Sequence, residues 1–159
     1  MTSRAASVEL APADPSCADA KYCLGQYFGE LAARFSGGFD RVRDAAADAI
    51  DLAPPEGCLL IAQLSGQPVG CAGLRALEPG VGEIKRMWVA PAVRGMGIGR
   101  SLLRELEEVA RRRGLRALRL DTNESLSEAL ELYRSSGYRE ISRFNDNPYA
   151  HHWFEKVLA

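Results

Sequence analysis

The sequence EIKRMWVAPAVRGMGIGRSLLRELEEVARRR, from Glu83 to Arg113, decides how this chain folds. It begins as a strand-like run, continues through a glycine-rich bend and ends with the spacing of a long amphipathic helix. The first backbone N–H groups of a helix have no partner within it, and the aligned peptide dipoles place partial positive charge at that end. The bend therefore predicts an anion site, and we interpret it as a cradle for a pyrophosphate group.

Two common phosphate-binding patterns do not fit this bend. The Walker pattern requires a lysine before its closing Ser or Thr, and this chain has Arg100 there. The dinucleotide fingerprint requires a third glycine, and Leu102 stands in that place. The pattern that is present is Arg-x-x-Gly-x-Gly, formed by Arg94, Gly97 and Gly99.

This pattern resembles the signature of the GCN5-related N-acetyltransferase family, Gln/Arg-x-x-Gly-x-Gly/Ala, whose loop binds the pyrophosphate of acetyl-coenzyme A. The segment from Leu132 to Tyr138 is similar to the family's Leu-Tyr-x-x-x-Gly-Tyr/Phe segment. The resemblance covers the chain from Cys58 to the C-terminus. It implies an α/β fold with a mixed, mostly antiparallel sheet, a parallel strand pair at its splayed centre and about four flanking helices.

Length and composition favour a single domain over residues 1–159. With 47% hydrophobic and 26% charged residues, the composition is that of an ordinary globular protein. The net charge of -1 offers no overall attraction to nucleic acid or to anionic lipid. Because the N-terminus lacks the apolar run of a signal peptide and no segment predicts a membrane span, we expect a cytoplasmic protein with no nucleic-acid or membrane partner. The resemblance also allows a homodimer.

The four cysteines show no C-x-x-C spacing, and the two histidines are adjacent, so no zinc pattern is present and we expect no metal. Small buried thiols are the favoured interpretation. No cysteine lies near the two motifs, which favours direct transfer of an acyl group over transfer through a cysteine.

Periodicity and turn residues predict the remaining elements. The predicted strands are Val8–Leu10, Cys58–Leu64, Val69–Leu74, Glu83–Val89, Leu115–Leu120, Tyr138–Arg143 and His151–Leu158. The predicted helices are Ala18–Phe35, Asp40–Ile50, one after the glycine bend that ends before Gly114, and one opened by a capping box at Ser125 and Glu128. Strand, helix and strand in succession after Glu83 indicate a parallel crossover.

Acyl transfer from a thioester to an amine requires a base, an acid and a site that stabilises the oxyanion. The resemblance implies that Glu83, at the start of the central strand, takes the amine proton, often through water. It also implies that Tyr133 lies beside the coenzyme sulfur as general acid. The alternatives are a strand-end glutamate paired with Lys85 or Arg86, and a core tyrosine with a satisfied hydroxyl. A β-bulge would decide whether Glu83 shares a face with Met87.

The predicted coenzyme site combines the strand edge, the loop and one asparagine. Both arginine side chains of the loop are expected to be available to phosphate oxygens. Asn123 follows a strand at the ligand-binding end of the sheet, where either a hydrogen bond to pantetheine or a capping role fits. The predicted residues are Met87, Trp88, Val89, Arg94, Gly95, Met96, Gly97, Ile98, Gly99, Arg100 and Asn123.

The primary prediction is an enzyme that moves acetyl from acetyl-coenzyme A to a primary amine of a small molecule or peptide. The alternatives are a non-catalytic acyl-coenzyme A binding, sensing or interaction module and a nucleotide-binding protein. The presence of both Glu83 and Tyr133 favours the enzyme. The acceptor is not defined by the motifs, and its determinants are expected around Tyr22–Asp40 and Asn145–His152.

Overall fold

The computed structural model describes residues 7–35 and 48–158. Its strands are β1 (Val8–Pro12), β2 (Cys58–Leu64), β3 (Gln67–Glu78), β4 (Val81–Val89), β5 (Ala117–Thr122), β6 (Arg139–Ile141) and β7 (His152–Val157). Its helices are α1 (Ala18–Arg34), α2 (Ile98–Arg112) and α3 (Ser127–Ser135), with a 3-10 turn at Pro91–Val93 and helical residues at 48–51. The predicted mixed sheet with flanking helices is confirmed.

The seven strands form one sheet in the order β1-β2-β3-β4-β5-β7-β6. All neighbours are antiparallel except β4 and β5. This parallel pair extends over three residue pairs only and ends where Glu83 lies opposite Arg119. Beyond that point β4 continues to Val89 with β3 as its partner, so the sheet opens between β4 and β5. The predicted parallel crossover and splayed centre are both present.

A β-bulge lies in β4 at Arg86. The register with β3 shifts between Cys71 opposite Trp88 and Gly73 opposite Lys85, so β4 has one extra residue there. Arg86 adopts a φ of 60°, in the left-handed region that few non-glycine residues occupy. The bulge reverses the alternation of side chains, which places Ile84 and Trp88 in separate hydrophobic clusters although they are four residues apart. Glu83 therefore does not share a face with Met87.

The two faces of the sheet carry separate cores. α1 covers β2, β3 and β4 with a cluster that includes Phe28, Leu59 and Trp88. The opposite face packs against α2 and α3 through Leu102, Leu106 and their neighbours. α2 has an apolar face and a charged face, as its sequence predicts. The opening between β4 and β5 lies between these two layers of helix.

Several local predictions change in the structure. The capping box at Ser125 and Glu128 is wrong, since α3 begins at Ser127 without a side-chain cap. Instead, the Ser125 N–H donates to Asn123 Oδ1 at 2.9 Å, which forms a tight turn before the helix. The last two strands are shorter than predicted. Most of the predicted helix Asp40–Ile50 lies outside the described residues, and Gly114 has the expected left-handed φ of 75°.

Candidate active site

The glycine loop forms a positive helix terminus that lacks a side-chain cap. Gly97 is the N-cap of α2 with a φ of 81°, and the first bond inside the helix runs from the Ser101 N–H to the Gly97 carbonyl at 3.0 Å. The N–H groups of Ile98, Gly99 and Arg100 precede that bond and have no helical acceptor. A Cβ atom at Gly97 would meet no atom within 4 Å, so glycine is required there by conformation. These donors fit an anion such as a pyrophosphate.

A cavity of about 680 Å³, which we call the loop cleft, runs from this loop along the open edge of β4. α1 and α3 form its walls through residues such as Glu30 and Glu128. Of the predicted coenzyme residues it contains Met87, Trp88, Val89, Arg94, Gly95, Gly97, Ile98, Gly99 and Arg100. Met96 is 57% exposed and does not line the cleft, and Asn123 does not line it either.

The guanidinium of Arg94 is hydrogen-bonded to Val89 and Glu30 in this structure. Its Nε donates to the Val89 carbonyl at 3.0 Å, and one terminal nitrogen donates to both carboxylate oxygens of Glu30 at 2.7 and 2.9 Å. Arg100 donates to the Ser135 hydroxyl at 3.0 Å. The expectation that both side chains are available to phosphate is therefore wrong for Arg94 as positioned here, because it joins α1 to the end of β4. The anion site rests mainly on backbone donors.

A second cavity of about 560 Å³, which we call the splay cavity, lies where β4 and β5 separate. Glu83, Lys85, Asp121 and Tyr133 line it, together with the loop at residues 145–149. It shares five lining residues with the loop cleft: Tyr27, Leu31, Met87, Leu126 and Ala129. The two cavities therefore meet beside the open edge of β4, which allows a ligand in one to reach a ligand in the other.

Tyr133 lines the splay cavity and does not line the loop cleft. Its residue is 5% exposed, and its ring packs at 6.0 Å from Tyr138 and 6.2 Å from Phe154. Within residues 7–35 and 48–158, no hydrogen bond involves its hydroxyl. Burial raises the pKa of Tyr133 well above its usual range, with a further contribution from the negative charge of Asp121. The hydroxyl therefore keeps its proton at neutral pH and can donate it.

Glu83 is 3% exposed and reaches the same cavity. The carboxylate accepts a hydrogen bond from Arg75 Nη1 at 2.9 Å, so its paired cation is Arg75 and not Lys85 or Arg86. Burial raises the pKa of Glu83 above its usual value, and the charges of Lys85 and Arg75 oppose that effect. A carboxyl with a raised pKa is a stronger base than an ordinary glutamate.

Asn123 serves the loop that closes the splay cavity. Its Nδ2 donates to the Tyr149 carbonyl at 2.6 Å, and its Oδ1 accepts from Ser125. Its backbone carbonyl accepts from the Leu126 N–H at 3.0 Å. This geometry favours the capping interpretation, because the side chain is engaged on both sides.

The motifs gave no signal for the charged residues that surround Glu83. Asp121 accepts from the amides of Asn145 and Asn147 at 2.6 and 3.1 Å, which ties the 145–149 loop to β5. The Phe35 and Tyr149 rings stack at 5.2 Å, which links the same loop to the end of α1. The alternation of side chains along β4 and β5 could have placed Lys85 and Asp121 beside Glu83, because all three fall on the same face of the sheet.

Arg86 forms a buried ion pair with Asp48 that the sequence does not predict. Its Nε lies 2.8 and 3.0 Å from the two carboxylate oxygens of Asp48, and its guanidinium lies 5.0 Å from the centre of the Phe28 ring. The pair connects the bulge to the helical residues at 48–51, and the contact with Phe28 places the guanidinium against α1. Removal of one partner of a buried pair is costly because the other charge stays desolvated.

In the described part of the chain, no group of three or more His, Cys, Asp or Glu residues could hold a metal ion. No helix over those residues is long and apolar enough to span a bilayer. Neither cavity is lined by any of the four cysteines.

The fold and the loop agree with a family assignment. Residues 26–138 match the model of the Acetyltransferase (GNAT) family, so the chain belongs to this family. The chain is 42% identical over 122 residues to an IAA acetyltransferase of Azospirillum brasilense, a match that covers 76% of this chain and 75% of that protein. It is 38% identical over 127 residues to the N-alpha-acetyltransferase RimI of Mycobacterium tuberculosis, covering 78% and 75%.

Solved structures show the same fold at low sequence identity. A GNAT-family acetyltransferase of Staphylococcus aureus superimposes with a TM-score of 0.84 at 20% identity, covering 96% of this chain and all of that one. The PaiA N-acetyltransferase of Thermoplasma acidophilum, solved in complex with coenzyme A, gives a TM-score of 0.70 at 16% identity, covering 95% and 99%.

Proposed function

We propose that this protein transfers the acetyl group of acetyl-coenzyme A to a primary amine by direct attack. The observation that carries the proposal is the junction of the two cavities at Met87, Leu126 and Ala129. The loop cleft offers backbone donors for a pyrophosphate, and the splay cavity offers a buried carboxylate and a buried phenol. An acyl donor in the first cavity and an amine in the second would react at this junction.

Glu83 and Tyr133 in the splay cavity suit opposite proton transfers. Glu83 is the base: it accepts a proton from the amine, directly or through water, as the nitrogen forms a bond to the thioester carbonyl carbon. Tyr133 is the acid: it gives its proton to the sulfur as the carbon–sulfur bond breaks. The backbone of Met87–Val89, at the unpaired edge of β4, is the candidate site for pantetheine and for stabilising the oxyanion.

Direct attack is favoured over an acylated cysteine. None of the four cysteines lines either cavity. Burial raises the pKa of Cys58, and the hydrogen bond with Cys23 together with burial raises the pKa of Cys71, which lowers the fraction of reactive thiolate at these two positions. The names of the two relatives point to different acceptors, so they support acetyl transfer in general and leave the amine to be found by experiment.

The test is Tyr133→Phe, with Tyr138→Phe as the matched control. Loss of the Tyr133 hydroxyl should lower kcat by about 10² to 10³, because proton transfer by a positioned side chain contributes effects of this size. The dissociation constant for coenzyme A should change less than threefold, on the order of 0.5 kcal/mol. Both are measured by thiol release over a panel of amines and by calorimetry.

Tyr138 is an apt control because it is as buried, lies 6.0 Å from Tyr133 and is outside both cavities. Its hydroxyl donates to Glu107 at 2.9 Å, so Tyr138→Phe should lower stability and leave kcat per folded molecule nearly unchanged. Equal kcat values for wild type and Tyr133→Phe across the accessible pH range would remove Tyr133 from the mechanism. Tight coenzyme binding without thiol release from any amine would indicate a binding module instead.

A further inference from the structure

Lys85 stands out among the cations of the splay cavity. Arg75 is bound to Glu83 at 2.9 Å, and Arg86 is bound to Asp48 at 2.8 Å. Lys85 is half-buried and lines the cavity, and among the residues that the structure describes it makes no hydrogen bond or ion pair. Its charge acts on Glu83 across the cavity, but none of the described carboxylates forms an ion pair with it, so this half-buried ammonium can bind a negatively charged group.

The topology explains why Lys85 forms no ion pair with Asp121. If the parallel register of β4 and β5 continued past Glu83 and Arg119, Lys85 would lie opposite Asp121. The strands separate at that point, and both side chains line the cavity between them. Asp121 instead accepts from Asn145 and Asn147. On its other side, Lys85 has Gly73 of β3 as its register partner, which offers no side chain.

Lys85 thus lines the same cavity as the carboxylates of Glu83, Asp121 and Asp146 without forming an ion pair with any of them. Glu83 and Lys85 are two residues apart on one strand face, a spacing of about 7 Å along the strand. A lysine side chain can extend about as far, so the two charged ends can contact the two ends of one small molecule. Glu83 and Asp121 favour an ammonium group, and Lys85 favours an anion.

We propose that the acceptor is an amine that also carries a carboxylate, such as an amino acid, and that Lys85 binds this carboxylate. The inference rests on the proposed function, because it assigns the acceptor to the splay cavity. The carboxylate would bind Lys85, and the amine would lie within reach of Glu83, directly or through water. The aromatic wall formed by Tyr27, Phe35 and Tyr149 accommodates an apolar side chain on such an acceptor.

The experiment compares matched acceptors in four proteins. Phenylalanine is paired with phenethylamine, which lacks only the carboxylate, and kcat/KM is measured for each by thiol release. The proteins are wild type, Lys85→Met, Lys85→Arg and the control Lys21→Met, which removes an exposed lysine of α1 outside both cavities. N-acetylphenylalanine and N-phenethylacetamide are also titrated calorimetrically in the presence of coenzyme A.

Wild type should prefer phenylalanine over phenethylamine by tenfold or more, since a hydrogen bond to a charged group contributes about that much. Lys85→Met should remove the preference by lowering kcat/KM for phenylalanine far more than kcat/KM for phenethylamine, and Lys85→Arg and Lys21→Met should retain it. A preference for phenethylamine, or a preference that survives Lys85→Met, would overturn the assignment. If no amine is turned over, the proposed function fails, and the calorimetric discrimination between the two amides still supports or overturns the role of Lys85.

Discussion

The loop cleft and the splay cavity are built by different means. The anion end of the loop cleft consists of backbone N–H groups, and the guanidinium of Arg94 beside them is held by Glu30. The splay cavity is lined by charged and aromatic side chains from six separate parts of the chain. A backbone site depends on conformation and tolerates many side chains, whereas a side-chain site changes with every substitution. The first therefore suits a constant cosubstrate, and the second suits a variable acceptor.

Of the variants that test this difference between the two cavities, Glu83→Gln should have the largest effect on kcat. If Glu83 is the base, kcat should fall by about 10² to 10³, and the dissociation constant of coenzyme A should stay near the wild-type value. Glu107→Gln is the control, because Glu107 is equally buried but binds Tyr138 and Lys156 outside both cavities. If kcat for Glu83→Gln stayed within threefold of wild type, the base would have to be another group or water.

The same variant changes the pH profile. Burial raises the pKa of Glu83, and the base must be deprotonated, so wild-type kcat should fall as pH decreases through a value above that of an ordinary glutamate. This fall should be absent in Glu83→Gln. The folded state binds the proton more tightly than the unfolded state, so the contribution of Glu83 to stability decreases as pH rises through this pKa. If kcat of wild type and of Glu83→Gln fell over the same range of low pH, the titrating group would be one other than Glu83.

A smaller effect is expected on the backbone side of the comparison. Gly97→Ala should weaken coenzyme binding by about tenfold, because an L-residue at a φ of 81° costs roughly 1–2 kcal/mol. Gly25→Ala in α1 is the control, since its Cβ also meets no atom within 4 Å and the helical position favours alanine. Calorimetry with coenzyme A measures both. Unchanged affinity in Gly97→Ala would mean that the loop conformation is not required for binding.

The difference between the cavities also decides what the sequence could predict. One side of the loop cleft follows from glycine spacing and helix periodicity, which are local, so nine of its lining residues could be named, whereas the walls from α1 and α3, such as Glu30 and Glu128, depend on tertiary packing and could not. The surroundings of Glu83 could not be predicted either, because they depend on where the β4–β5 ladder ends and on the bulge at Arg86, both of which result from tertiary contacts.

Asn123 gives the smallest and most discriminating test, because sequence left two roles open for it. Asn123→Ala should lower the free energy of unfolding by about 1–2 kcal/mol through loss of two hydrogen bonds. It should also raise the acceptor KM several-fold by freeing the 145–149 loop. Asn123→Asp keeps the acceptor for the Ser125 N–H and loses the donor to Tyr149, so it separates the two bonds. Coenzyme affinity should remain unchanged in both variants, because Asn123 lies outside the loop cleft. A tenfold loss of coenzyme affinity with unchanged stability would instead assign the side chain to the pantetheine arm.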